Sequence, residues 1–278
     1  MAATGDSAAR TLAELRAKID RIDEAMHQLL IERGTVIEAL IAAKGTARTG
    51  AAFRPQREAE MMRRLAERHS GVLPLATAEH LWREIITTFT FLQAPFRVFV
   101  DLGDDHAAMH DLARFAFGFS VEMIIADGPA DVVRRVAETG LDLGLIPQSR
   151  NREAWWRRLS DDGPRIMALL PFIAQEGRIA GAPALVVSPR LADPSPADLR
   201  VVAARRANGA LRLSSSAAII ADSGAGELLV AVEPGVSDAA LAEMGLEDIA
   251  GVGAMARGIT IDGPASLLRA GPSLRRLA

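Results

Sequence analysis

LAELRAKIDRIDEAMHQLLIERGTVIEALIAAK, residues 12–44, reads as one long helix. Thr11 and Glu14 have the spacing of a capping box at its start, and Gly45 follows Lys44 as a stop. At a rise of about 1.5 Å per residue the helix is roughly 50 Å long. Apolar residues keep a heptad rhythm along it: Leu12, Leu15, Ile19, Ile22, Met26, Leu29, then Val36, Leu40 and Ala43. Arg33 breaks the seam. A guanidinium among apolar side chains is costly unless it meets an anion. Its helical neighbours Leu29, Leu30, Val36 and Ile37 supply no carboxylate. Lys44, eleven residues on, points the same way to within about 20°. The two cations lie about 16 Å apart along the axis, so a small dianion fits between their inward-reaching side chains. The alternative is that both reach only solvent or an acidic residue elsewhere.

Arg16 stands seventeen residues before Arg33, about 25 Å along the helix. One small ligand cannot touch both on a straight helix, so Arg16 serves the same site only from a second, antiparallel copy of the chain. Its alternative is a surface pair with Asp20 at i+4. A seam this long also demands more cover than two short helices give. An intertwined homodimer is therefore expected.

Outward from this helix, Pro55–His69 reads as a second helix, mostly exposed, and Thr77–Gln93 as a third with Leu81, Ile85, Phe89 and Leu92 as its core face. Residues 1–95 are then all helical. After Pro95 the order is β-α-β-α-β: strands at 96–102, 120–127 and 141–147, helices at His106–Phe117 and Pro129–Thr139. That order predicts a parallel sheet with covering helices. Residues 151–160 suggest another helix and 165–175 another strand. The last third, with strands at 182–189, 211–222, 227–234 and 248–258 and helices near 196–208 and 237–245, predicts the ferredoxin-like order β-α-β-β-α-β.

Composition narrows the function. The 278 residues suit two or three domains, and the net charge of −3 gives no general affinity for nucleic acid. With no cysteine there are no disulfides, thiol catalysis or Cys-bound zinc. No run approaches eighteen apolar residues, so no membrane span is expected and the cytoplasm is the expected location. His106 and His110 are spaced i, i+4, but no third metal ligand is evident nearby.

On these residues the chain resembles the all-helical (AroQ-class) chorismate mutases over about residues 8–95. The first-helix pattern L-R-x-x-I-D-x-I-D stands here as Leu15 to Asp23, the E-R pair as Glu32-Arg33, and the lysine eleven residues later as Lys44. The second-helix pattern D-P-x-R-E reads Arg54-Pro55-Gln56-Arg57-Glu58. The third-helix E-I-I, serine and glutamine stand as Glu84-Ile85-Ile86, Phe89 and Gln93. The resemblance implies the Claisen rearrangement of chorismate to prephenate in phenylalanine and tyrosine synthesis, with no metal or other cofactor. It also implies roles. Arg33 and Arg16 of the partner clamp the carboxylates; Lys44 and Gln93 donate to the ether oxygen; Glu58 accepts from the ring hydroxyl; Arg57 orders the site. Arg54 departs from the usual aspartate, a better N-cap, at a cost of about 1 kcal/mol to the helix start. Phe89 departs from the usual small hydroxyl residue and removes one carboxylate contact.

Residues 96–180 resemble a worn prephenate dehydratase lobe: Asp142, Gly144 and Pro147 match its D-Y-G-V-x-P-I-E-N-S run, but E-N-S does not. The Thr-Arg-Phe motif of dehydratase chemistry is absent, so no dehydratase activity is expected. Residues 181–278 resemble an ACT domain in element order only. Two other functions fit the same helices: an isochorismate pyruvate lyase, and a non-catalytic protein that binds chorismate or an amino acid.

Overall fold

The computed structural model describes residues 2–44, 53–149, 153–160, 162–191, 197–207, 210–264 and 274–276. Contacts divide the chain into two units, Met1–Thr49 and Gly50–Ala278. The first holds one helix, α1 (Ala2–Lys44). It begins ten residues before the expected start, so Thr11 and Glu14 lie in its interior and do not cap it. The alanine-rich stretch at residues 2–9 favours continuing the helix over stopping it.

The second unit opens with α2 (Pro55–Arg68) and α3 (Leu75–Gln93). Both were expected within two residues, but neither buries the face expected of it. The second helix is not mostly exposed: Pro55, Ala59, Met62, Leu65 and Ala66 are all buried. On α3, Leu81 and Leu92 are exposed, while Ala78, Glu79, Arg83, Ile86, Thr87 and Thr90 turn inward. The cause lies more than a hundred residues away. Phe172, Ile173, Ala256, Ile259 and Ile261 join Met62, Leu65, Leu75 and Ile86 in one hydrophobic cluster. Arg63 of α2 adds a tie to the same region, bonding Asp198 and the carbonyl of Arg257 (2.9 Å) and lying over the Phe172 ring.

A mixed nine-stranded sheet follows the helices. Its first part matches expectation: β1 (Arg97–Val100), α4 (His106–Phe117), β2 (Glu122–Ile125), α5 (Pro129–Thr139) and β3 (Leu143–Pro147), with the three strands parallel in the order β2-β1-β3. Alternation along β1 sends Val98 and Val100 to the α4 side, with Met109 and Leu112. Phe99 faces the α5 side, with Val132, Val136 and the buried Trp155 and Trp156 of a short 3-10 turn, Trp155–Arg158. That turn is all the helix present where one was expected over residues 151–160, of which 151 and 152 lie outside the described residues. An alanine methyl at Gly144 would stand 2.4 Å from Val132, so glycine is what lets α5 seat on β3. Asp142 anchors the start of β3, accepting from the backbone N–H of Arg97 at 2.7 Å and from its guanidinium at 2.8 Å. Asp142 is buried, so Asp142→Ala removes the shared acceptor of a backbone N–H and a charged guanidinium. A loss of about 2–3 kcal/mol is expected in denaturant unfolding.

The remaining strands are β4 (Arg165–Leu170), β5 (Ile173–Glu176), β6 (Ala184–Ser188), β7 (Leu199–Arg206), β8 (Ala217–Asp222) and β9 (Glu227–Val232). After α6 (Asp238–Glu243) come β10 (Leu246–Met255), β11 (Ile259–Pro264) and β12 (Leu274–Arg276). The full order is β2-β1-β3-β6-β4-β10-β7-β9-β8, with a small second sheet β12-β11-β5. Two expectations fail here. The strand at 165–175 is two strands split by Pro171, which has no N–H to give a ladder. The helix expected at 196–208 is β7, with Val201, Val202, Ala203 and Ala204 all buried. A strand covered on both faces loses the polar alternation by which strands are recognised. Among the described residues the last third is therefore β-β-β-β-α-β-β-β rather than the ferredoxin-like order. Its first strand, β6, lies between β3 and β4, so one sheet runs across residue 180.

Candidate functional site

On α1 the heptad residues Leu12, Leu15, Ile19, Ile22, Met26, Leu29 and Val36 are all exposed, most of them by half or more. Arg33 is half-buried and Arg16 exposed. The helix is continuous between them, so their separation along it stands at about 25 Å. Lys44 ends the helix, and its side chain lies outside the described residues.

The other sequence-predicted residues belong to the second unit. Arg54 is the N-cap of α2 and gives no side-chain cap, as its lack of an acceptor requires. Its guanidinium instead makes a long bond to the carbonyl of Phe53 (3.4 Å). Pro55 then sets the first turn. Arg57 is exposed, while Glu58 turns into the protein. Nη1 of Arg83, on α3, donates to Glu58 Oε2 at 3.2 Å, and the two side chains keep only 8% and 14% of their surface. Burial pushes the Glu58 carboxyl above its ordinary pKa; the Arg83 charge and a backbone hydrogen bond at Arg54 pull it back part of the way.

Gln93 closes α3, its side-chain amide donating to the carbonyl of Phe89 at 2.9 Å. A primary amide has a second N–H, so this bond fixes the group without consuming its donor capacity. Phe89 is half-buried. The structure thus brings Glu58 to α3 at Arg83, ten residues and about 15 Å of helix before Gln93.

Sequence reasoning missed a chain of buried charges behind Glu58. Glu79, one turn before Arg83, pairs with Arg178 at 3.1 Å, and both are almost wholly buried. Burial pushes Glu79 upward as well, against the pull of Arg178 and Arg83. Arg178 also donates to the carbonyl of Ile173 and lies 4.9 Å from the Phe115 ring, on which His80 stacks. The i, i+4 spacing of Glu79 and Arg83 was visible, but it reads equally well as a solvated pair. Only the strands that cover this face make it internal. Beside Arg83, the cavity lined by Phe53, Pro55, Phe117, Leu170 and Phe172 has a volume of about 30 Å³. It holds about one water and no larger ligand.

Residues 15–94 match the family model described as chorismate mutase type II. This stretch is a chorismate mutase type II domain. The mutase domain is thus shared between α1 in the first unit and α2 and α3 in the second. Three curated relatives, each named bifunctional chorismate mutase/prephenate dehydratase, match a stretch longer than the mutase domain. The protein of Aquifex aeolicus is 32% identical over 140 residues, 49% of this chain and 38% of its own length. That of Stutzerimonas stutzeri is 28% identical over 151 residues, 53% of this chain and 41% of its own. That of Pseudomonas aeruginosa is 27% identical over 146 residues, 51% and 40% respectively. The chain spans about two fifths of the length of the relatives it matches. No solved structure matches it. Among the described residues no helix is long and apolar enough to cross a membrane.

Proposed function

We propose that the chain is a homodimeric chorismate mutase of the cytoplasm, converting chorismate to prephenate. The observation that carries this is the family match over residues 15–94, which includes Arg16, Arg33, Lys44, Arg57, Glu58 and Gln93. The reaction is unimolecular: one ether C–O bond breaks as a C–C bond forms, and no proton or electron leaves the molecule. Catalysis then consists of holding a dicarboxylate in its compact form and stabilising the charge that grows on the ether oxygen. In this reading Arg33 and the second copy's Arg16 hold the carboxylates, and Lys44 and Gln93 donate to the ether oxygen. Glu58 accepts from the ring hydroxyl through its second oxygen. Arg57, exposed at the start of α2, adds positive field.

Two features of the structure support the reading. The apolar seam of α1 is exposed along its length, as a helix awaiting a second copy would be. Glu58 is bonded to Arg83 on α3, the helix that also carries Gln93, so two residues the reading uses stand in one packed unit. The α/β region, read as without dehydratase chemistry, serves here as scaffold.

Purified protein given chorismate and, separately, isochorismate tests the reading. Prephenate from chorismate is expected. Salicylate from isochorismate would make it a lyase, and no product from either would make it a binding protein. The rate should be flat from about pH 6 to 8, since the amide of Gln93 needs no proton to donate and lysine titrates near 10.4. On the acid side it should fall sooner than an ordinary glutamate would allow. The raised Glu58 carboxyl takes up its proton at a higher pH and then ceases to be a pure acceptor. A steep loss between pH 6 and 8 in folded protein would remove Gln93 from the role of ether donor.

A further inference from the structure

We infer that Arg83 is a positioning residue for the mutase reaction, holding the Glu58 carboxylate in the orientation from which it accepts the substrate's hydroxyl. The inference rests on the mutase reading and adds a residue that no sequence motif singled out. Arg83 touches Glu58 and not the substrate, and four observations give it this role.

Its Nη1 reaches Glu58 Oε2 at 3.2 Å, which leaves Oε1 for the substrate's hydroxyl. Its other near anion, Glu79, is held by Arg178 at 3.1 Å, and Arg178 is the larger influence on it. Arg178 is fixed in turn by the carbonyl of Ile173 and the ring of Phe115. Arg83 also lines the cavity walled by Phe117, Leu170 and Phe172, and it is itself buried. Charges therefore alternate in a line, Glu58, Arg83, Glu79, Arg178, anchored in the α/β region. A free glutamate side chain loses rotamer freedom when it is fixed. Arg83 imposes that order before substrate arrives. Arg57, adjacent to Glu58 in sequence, is exposed and cannot offer the carboxylate the same buried cation.

The same contact sets the protonation of Glu58. The groups that act on its carboxyl are Arg83 from α3 and the backbone at Arg54 from the start of α2, with Glu79 acting through Arg83. Burial favours the neutral acid, and the cation opposes it. Without the cation, Glu58 takes up its proton at a higher pH.

The test is a double-mutant cycle in the 278-residue chain, with prephenate formation measured across pH 5–8. Arg83→Met should lower kcat by about 30-fold with KM changed less than about threefold, as loss of orientation does. Its acid limb should move up by about one pH unit. Arg83→Lys, which keeps the charge, should recover most of the rate. In a Glu58→Gln background Arg83→Met should cost less than about twofold further, because the group it positions no longer titrates or holds charge. If Arg83→Met does not fold by circular dichroism, Arg83→Lys carries the cycle in both backgrounds. A loss of about threefold is then expected beside the native Glu58, and none in the Glu58→Gln background. An equal loss in both backgrounds, or no shift of the acid limb, makes Arg83 purely structural and overturns the inference while the mutase reading stands. Wild-type protein that yields no prephenate overturns the mutase reading and this inference with it.

Discussion

Arg33→Ala leaves the chain folded and lowers chorismate turnover by about 100- to 1,000-fold. That is the range for removing one preorganised hydrogen-bond donor from a reacting centre. The fold should survive because α1 runs unbroken from Ala2 to Lys44 and alanine is the best helix former. The substitution also takes a cation out of an apolar heptad, which favours the seam rather than weakening it. Two measurements check it together: initial rates of prephenate formation, and far-UV circular dichroism with sedimentation to follow helix content and association. Normal turnover by a folded variant would dismiss Arg33 from the clamp. Loss of turnover with loss of helix would move its role from chemistry to folding.

Phe172→Ala has the largest expected effect on stability, about 3–5 kcal/mol. Phe172 is buried where α2 and α3 meet the strands, in the same cluster as Met62, Leu65 and Ile86, and the Arg63 guanidinium lies 5.4 Å from its ring. Such a loss is a large fraction of the roughly 5–15 kcal/mol that holds a typical domain. Thermal unfolding should show a single transition moved down for the helical and the sheet signals alike. A variant in which the helices melt early while the sheet keeps its wild-type midpoint would show that the shared core does not couple them. Ending the chain after Pro95 removes Phe172, Ile173, Ile259 and Ile261 together, so α2 and α3 should not hold their packing in that fragment.

The sequence was most legible where the pattern is local. The starts and ends of α2, α4 and α5 follow from Pro55, Asp105 and Pro129 at one end and Gly118 and Gly140 at the other. The parallel order of β1, β2 and β3 follows from alternating elements. Legibility failed wherever a partner distant in sequence decides the outcome. The apolar stripe of α3 through Leu81 and Leu92 has the right period and is exposed, while Glu79, Arg83, Thr87 and Thr90 are buried. Their partners are Arg178, Glu58 and, for Thr87, the carbonyl of Ala116 at 3.3 Å. Periodicity sees hydrophobicity and cannot see a salt bridge waiting a hundred residues away. In β7 the failure is the reverse: burial on both faces removed the alternation, and the alanines and arginines of residues 203–206 read as helix. In the candidate site, Arg33, Lys44 and Arg16 stood out by their spacing, and Arg57, Glu58 and Gln93 by the resemblance to a family. Arg83 did not, because its function lies in what it does to Glu58.

The shared core of α2, α3 and the strands separates two kinds of unit that usually coincide. The stretch that matches the mutase model is residues 15–94. What holds together by contact is residues 50–278. A cut at the end of the matched stretch would pass through a continuous hydrophobic cluster. Helices α2 and α3 are thus bound to the strands by packing. Genes that exchange this module intact would be expected to carry the sheet along with it.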